Sequence, residues 1–233
     1  MKRLLVSAAA AALAAFTAAG TVAAQVPGIP VYNTPVPAGF TIVADVGFPS
    51  HSTHTGTSFG ATVAFGTGAF GFTLTGGGTS AEVDTFNLGQ ATIGGTVNWK
   101  VIGGPALPWA VNLQAGLAYW EIGDPPAALV PPPHLFAEKL QNIHVPVGVS
   151  VMYSVITSGM AIKPWIAPRA DYTRTTLAGG SVDHTKFGVS VGLNLMFRNG
   201  LGVRAAYDWL QSDGPTRDTI GVGASYSFTA PDF

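Results

Sequence analysis

The chain contains no cysteine. That excludes a disulfide framework and any thiolate metal site. It also excludes a lipid-anchored lipoprotein, which needs a cysteine after its leader. Charge is scarce as well. Charged residues make up 10% of the chain, where a soluble domain usually carries about 25%. Beyond the first two dozen residues no apolar run is long enough for a spanning helix. No strong basic excess exists either: without Lys2 and Arg3 the chain holds 9 basic against 12 acidic side chains, a formal charge of −3. That balance does not suggest a nucleic-acid partner. The 30 glycines alternate with apolar residues and form no phosphate-binding loop leading into a helix. No repeated calcium loop is present, and no cofactor or metal is expected. Few charges and no long apolar run are reconciled if the apolar residues occupy alternate positions.

The first residues read as an export signal. Lys2 and Arg3 form a charged start, an Ala-rich apolar stretch runs from Leu4 to about Ala19, and Val22-Ala23-Ala24 puts small residues before Gln25. The expected division is a cleaved signal peptide over 1–24, a Pro-rich periplasmic lead-in over 25–38, and a membrane domain over 39–233. The lead-in carries Pro27, Pro30, Pro35 and Pro37. It reads as extended, either as a periplasmic tail or tucked into the mouth of the domain.

From Phe40 onward ten segments alternate apolar with small or polar residues. Strand 10 has Ile220, Val222, Ala224, Tyr226 and Phe228 on one side, and Gly221, Gly223, Ser225 and Ser227 on the other. Period-two alternation gives a sheet with two unlike faces. The other segments run at about 40–47, 59–65, 70–75, 90–101, 109–121, 143–155, 161–174, 187–197 and 201–210. Four connections are tight: Gly66-Thr67-Gly68, Gly103 to Pro108, Ser158-Gly159, and Asn199-Gly200, a strong hairpin signal. Five are longer and polar: Pro49–Ser58, Gly76–Asn87, Gly123–Asn142, Thr175–Lys186 and Gln211–Arg217. Short turns on one side and long loops on the other, with an even strand count, describe a closed antiparallel transmembrane β-barrel. This form pairs every backbone polar group inside a membrane. Ten strands are expected; eight remain if strands 2 and 3 form an external hairpin. Phe40, Trp99, Trp109, Tyr119, Tyr172, Phe197, Trp209 and Phe228 end outward rows, as rings at a lipid–water boundary do.

The inward rows hold many glycines and seven charges: Asp45, Lys100, Lys163, Arg169, Asp171, Arg204 and Asp208. Mutual pairing is the expectation, because an unpaired charge in a confined lumen is costly. A charged constriction is the alternative. Ten strands lined by small residues predict water inside. Pro146, Pro164 and Pro168 fall within proposed strands, where each removes a ladder hydrogen bond. Bulges near strands 6 and 7 are the expected remedy.

On these features the chain resembles the small outer-membrane β-barrel superfamily, the OmpA-like and porin-family barrels of Gram-negative bacteria. Local pieces carry the resemblance: Pro146 opening a Gly-alternating strand within Ile143–Val149, Lys163-Pro164-Trp165 starting the next, and the ending Tyr226-Ser227-Phe228. That ending is similar to the family's assembly signal, although here Thr229–Phe233 follow it. The resemblance implies an integral outer-membrane location, contact with outer-membrane lipid and lipopolysaccharide, and recognition by the barrel-assembly machinery.

The function expected is structural, or a narrow passive channel for small solutes, without catalysis. A surface adhesion barrel using its long loops is the alternative. A lipid hydrolase is the second alternative, since some barrels of this kind use a rim histidine. His144 and Asp171 are placed here as an inward cross-strand pair in which the acid fixes the imidazole tautomer. No nucleophile accompanies them; Ser150 lies about 20 Å farther along the strand. His51, His54, His134 and His184 are candidate metal ligands or simply solvated loop residues.

Overall fold

The computed structural model describes residues 28–32, 38–51, 54–83, 86–104, 106–122, 140–177, 180–211 and 217–228. The expected signal peptide, His134 and Thr229–Phe233 lie outside these residues. Ten strands make one closed barrel: β1 (Gly39–His51), β2 (His54–Gly66), β3 (Phe70–Val83), β4 (Phe86–Ile102), β5 (Trp109–Ile122), β6 (Leu140–Tyr153), β7 (Met160–Leu177), β8 (Gly180–Phe197), β9 (Leu201–Leu210) and β10 (Arg217–Ser227). After Ser154, β6 resumes for Val155–Ile156 on the same partner, β7. Each strand pairs antiparallel with its successor, and β10 returns to β1. β2 and β3 are full members of the wall, which removes the eight-strand alternative.

Closure is tied at the short-turn end. Thr41 opposes Ser227, their hydroxyls lie 2.8 Å apart, and Phe228 N donates to Phe40 O at 2.9 Å. The Phe40 and Phe228 rings meet at 5.5 Å. Gly68 (φ 88°) and Gly200 (φ 86°) adopt the left-handed conformation that the tight turns before β3 and β9 require.

The alternation sorts outside from inside along most of the wall. Phe40, Ile42, Phe59, Val63, Phe72, Leu74, Ile93, Val97, Leu113, Val149, Ile166, Leu193, Val203 and Val222 are exposed on the outer wall. Their immediate neighbours Thr41, Thr62, Thr92, Thr96, Asn98, Asn112, Gln114 and Ser150 are buried. A water-soluble fold has the opposite arrangement; this one suits a hydrocarbon solvent. Inward hydroxyls pair across the strands, Thr62 with Thr75 at 2.8 Å and Thr73 with Thr96 at 2.7 Å.

The aromatics fall at two levels. Trp99 stacks on Phe70 near the short-turn end, with ring centroids 6.0 Å apart. Trp209 meets Phe187 toward the other end, at 6.4 Å.

Two expectations are corrected. The prolines produce no bulge in β6 or β7, whose mutual register stays constant from Gln141↔Thr176 to Met152↔Trp165. Instead the ladder skips a few pairs: the β5–β6 pairing breaks between Ala115 and Ala118, beside Pro146, and the β6–β7 pairing breaks between Gly148 and Val151, beside Pro168. Losing a donor therefore interrupts pairing locally and leaves the inward/outward parity intact. The register shift that does occur lies between β4 and β5, at Lys100/Ile102.

The second correction concerns the long connections. β1 runs to His51 and β2 starts at His54; β3 ends at Val83 and β4 starts at Phe86; β7 ends at Leu177 and β8 starts at Gly180. Most of these expected loops are thus strand. Beyond the lipid both faces of a strand meet water, so period two fades from the sequence while the hydrogen-bond ladder continues. Residues 123–139 lie outside the described ones.

Candidate functional site

The lumen holds two arginine clamps of the same design. Arg204 on β9 opposes Gly223 on β10, which opposes Asp45 on β1. The guanidinium passes over Gly223, and its Nε donates to Asp45 Oδ1 at 2.8 Å while Nη2 meets Oδ2. A Cβ on Gly223 would collide with that carboxylate. Two strands away round the wall, Arg169 on β7 opposes Gly188 on β8. Its guanidinium lies where a Gly188 Cβ would point and reaches Asp208 on β9. Nη1 donates to Oδ1 at 2.6 Å and Nη2 to Oδ2 at 3.0 Å.

The second clamp extends into a network. Ser190 Oγ accepts from Arg169 Nη1 at 2.7 Å and donates to Asp208 Oδ1 at 2.6 Å. Arg169 Nε lies 2.7 Å from Asp171 Oδ2, and His144 Nε2 lies 2.7 Å from Asp171 Oδ1. The Trp120 ring closes on His144 edge-on at 6.0 Å. These side chains are almost fully buried, Arg169 and Asp171 at 1% exposure each. Charges so deep are tolerable only when paired and hydrogen-bonded; two carboxylates grip one guanidinium here, and the imidazole takes the remaining oxygen.

His144 stands opposite Thr173, and Asp171 opposite Pro146. Their contact is therefore diagonal, two residues from the direct pairing read from the sequence, though both do face inward. Ser150 is engaged elsewhere, accepting from Asn112 Nδ2 at 3.2 Å. Lys163 lies level with Asn194 and Arg204 along the ladder, and Lys100 opposes Asn112; both lysines are half-buried. Among the described residues no group of three or more His, Asp or Glu is placed to hold a metal.

The third occupant of the lumen is residues 28–32, part of the lead-in for which the sequence left open a periplasmic tail or a tuck into the mouth of the domain. Ile29, Pro30 and Val31 are buried inside the barrel. The Gly28 carbonyl occupies the space a Gly47 Cβ would need, and the Pro30 ring occupies that of Gly221. Tyr32 lies under the Arg204 guanidinium, 3.7 Å from Cζ to ring centroid, and meets Trp165 at 6.2 Å. Its ring joins the small cluster of Ala110, Met152, Trp165, Ala167 and Ala206. The available signal was the coincidence of a Pro-rich lead-in with inward glycines at 47 and 221. Between this segment and the wall remains a cavity of about 50 Å³, lined by residues including Thr62, Thr75, Thr96, Gln114 and Asp45.

No protein-family model and no curated protein matches the chain. Solved structures do. The β domain of the Bordetella autotransporter BrkA aligns with a TM-score of 0.52 at 11% identity, over 82% of this chain and 100% of that one. The N-terminal β-barrel domain of Pseudomonas aeruginosa OprF aligns at 0.35 and 13%, over 81% and 97%. The attachment invasion locus protein Ail of Yersinia pestis aligns at 0.38 and 12%, over 84% and 100%. Identities this low speak to fold alone. The chain is similar to outer-membrane β-barrels, and it shares with the BrkA β domain the closed antiparallel barrel, here of ten strands.

Proposed function

We propose that the protein is an integral outer-membrane barrel with a closed lumen, structural in role, and that it passes no solute. The observation that carries this reading is the occupied interior. Eight strands already make a barrel that side chains can just fill; ten strands lined with glycine leave extra room. Here that room is taken by the Arg169–Asp208–Asp171–His144 network on one side and by residues 28–32 on the other. The cavity beside residues 28–32, about 50 Å³, has space for a few waters.

The same geometry favours a structural role for His144 and Asp171 over a hydrolytic one. The pair faces the lumen and away from lipid. Both oxygens of Asp171 are engaged. Ser150 is six residues along the strand from His144, about 20 Å at 3.3 Å per residue. The test is planar-bilayer recording with the purified barrel. Current indistinguishable from protein-free bilayers is expected; reproducible unitary steps would overturn the closed-lumen reading.

A further inference from the structure

The two halves of the lumen wall are built differently. Across β5, β6 and β7 the inward side chains are large: Gln114, His144, Trp165, Arg169 and Asp171, all buried. Across β9, β10, β1 and β2 they are mostly small. One cross-strand row reads Ala206, Gly221, Gly47, Ser58. The next row toward the short turns reads Arg204, Gly223, Asp45, Gly60. There the guanidinium is drawn along the wall to Asp45 instead of reaching across the lumen. Eight strands already make an interior that side chains just fill. Ten strands with large side chains on one half leave a passage along the other.

Residues 28–32 stand in that passage. The Gly28 carbonyl takes the side-chain space of Gly47, and the Pro30 ring that of Gly221. The Tyr32 ring covers the Arg204 guanidinium and packs against the cluster that includes Ala206. Ser58 and Ala206 have little side chain of their own, yet both are buried. The segment also forms one wall of the cavity that faces Thr62 and Gln114. It joins no strand ladder. Its seat is made by buried Ile29 and Val31, by the glycine hollows and by the ring under Arg204. A wall strand would lose its ladder on leaving; this segment has only its seat to lose.

We propose that residues 28–32 are a plug that holds a pore latent: with the segment out of its seat, the small-residue half of the lumen conducts. The open passage is lined by glycine, by hydroxyls and by the paired charges of Asp45 and Arg204. It therefore takes small polar solutes, with little preference for either sign of charge. The proposal rests on the closed-lumen reading and names what closes it.

Three detergent-folded barrels are recorded in planar bilayers: the native chain, a chain lacking residues 25–32, and full-length Ile29→Ser/Tyr32→Ala. The last keeps the chain length and removes the apolar anchor and the ring. Heat-modifiable migration establishes that each is folded. The native chain is expected to be silent, and both variants to show unitary current steps. Steps in the native chain would overturn the closed lumen, and the plug with it. Silence of a folded deletion chain beside a silent native chain would overturn the plug alone, leaving closure to the wall side chains. If the deletion chain does not fold, silence of the folded double variant overturns the plug equally. A tether gives an independent check, because the native chain has no cysteine. Pro30→Cys/Gly221→Cys is added to the double variant, and the disulfide is followed as a reductant-sensitive shift on a denaturing gel. Steps are expected only after reduction. Equal currents in the bridged and reduced forms would contradict a plug at this seat.

Discussion

Arg204 and Asp45 are joined across a strand that belongs to neither: the guanidinium crosses Gly223 of β10 to reach the carboxylate on β1. That places the clamp over the seam where the last strand meets the first. A wall held only by ladder hydrogen bonds gains there a side-chain brace spanning three strands. The Asp45 side chain is 2% exposed and that of Arg204 16%. Asp45→Ala leaves the guanidinium largely buried and unpaired, at an expected cost of about 3 kcal/mol, the lower end for a broken buried pair because Arg204 keeps some access to water. The reading is a lowered urea midpoint for the detergent-folded barrel. An unchanged midpoint would contradict the brace.

Gly221 gives its side-chain space to Pro30. Gly221→Leu is therefore expected to destabilise the intact chain by about 1–3 kcal/mol through overpacking. In a chain lacking residues 25–32 the same substitution should cost much less, since the space is then empty. The double-mutant cycle measures the coupling directly. Equal costs in both backgrounds would mean that the segment is not seated there.

Removing the His144 ring leaves one Asp171 oxygen without its partner at 2.7 Å. His144→Ala should lower stability by about 1–3 kcal/mol. It should not change acyl release from phospholipid or lipid A, which is expected at background in the native protein as well. Hydrolysis that vanishes in the variant would reinstate a catalytic pair.

Depth along the outer wall is tested with one charge at two heights. Leu193 faces outward on β8 between Phe187 and Phe197, opposite Ala205 and Pro164. Val182, near the long-hairpin end of the same strand, is also exposed. Leu193→Arg is expected to cost about 2–4 kcal/mol and Val182→Arg about 0–1 kcal/mol, following the polarity gradient of a bilayer. Unfolding from lipid vesicles reads both.

The wall of the barrel was legible in the sequence because lipid and lumen impose opposite demands on adjacent residues. Rows such as Ile220, Val222, Ala224 and Tyr226 therefore alternate visibly. The strand extensions at Pro49–His51 and Gly76–Val83 were not legible, since no apolar solvent selects a face there. The inward charges were identifiable one by one from parity. Their partners were not, because each arginine reaches past its nearest neighbour: Arg169 over Gly188 to Asp208, Arg204 over Gly223 to Asp45. The seat of Tyr32, and the choice between tail and tuck for the lead-in, stayed open for a different reason. The segment packs on glycines, and a missing side chain carries no signal of what takes its place.

The central claim is an inside-out distribution of polarity, and tryptophan reads it most directly. Trp99 faces outward at 47% exposure, and Trp165 faces inward at 4%. Two single-tryptophan barrels, keeping one or the other with phenylalanine at the remaining four positions, are folded into vesicles of brominated phospholipid. Strong bromine quenching of Trp99 with little quenching of Trp165 is the predicted result. Equal quenching of the two, or quenching of Trp165 alone, would contradict a lipid-facing exterior around an enclosed polar lumen.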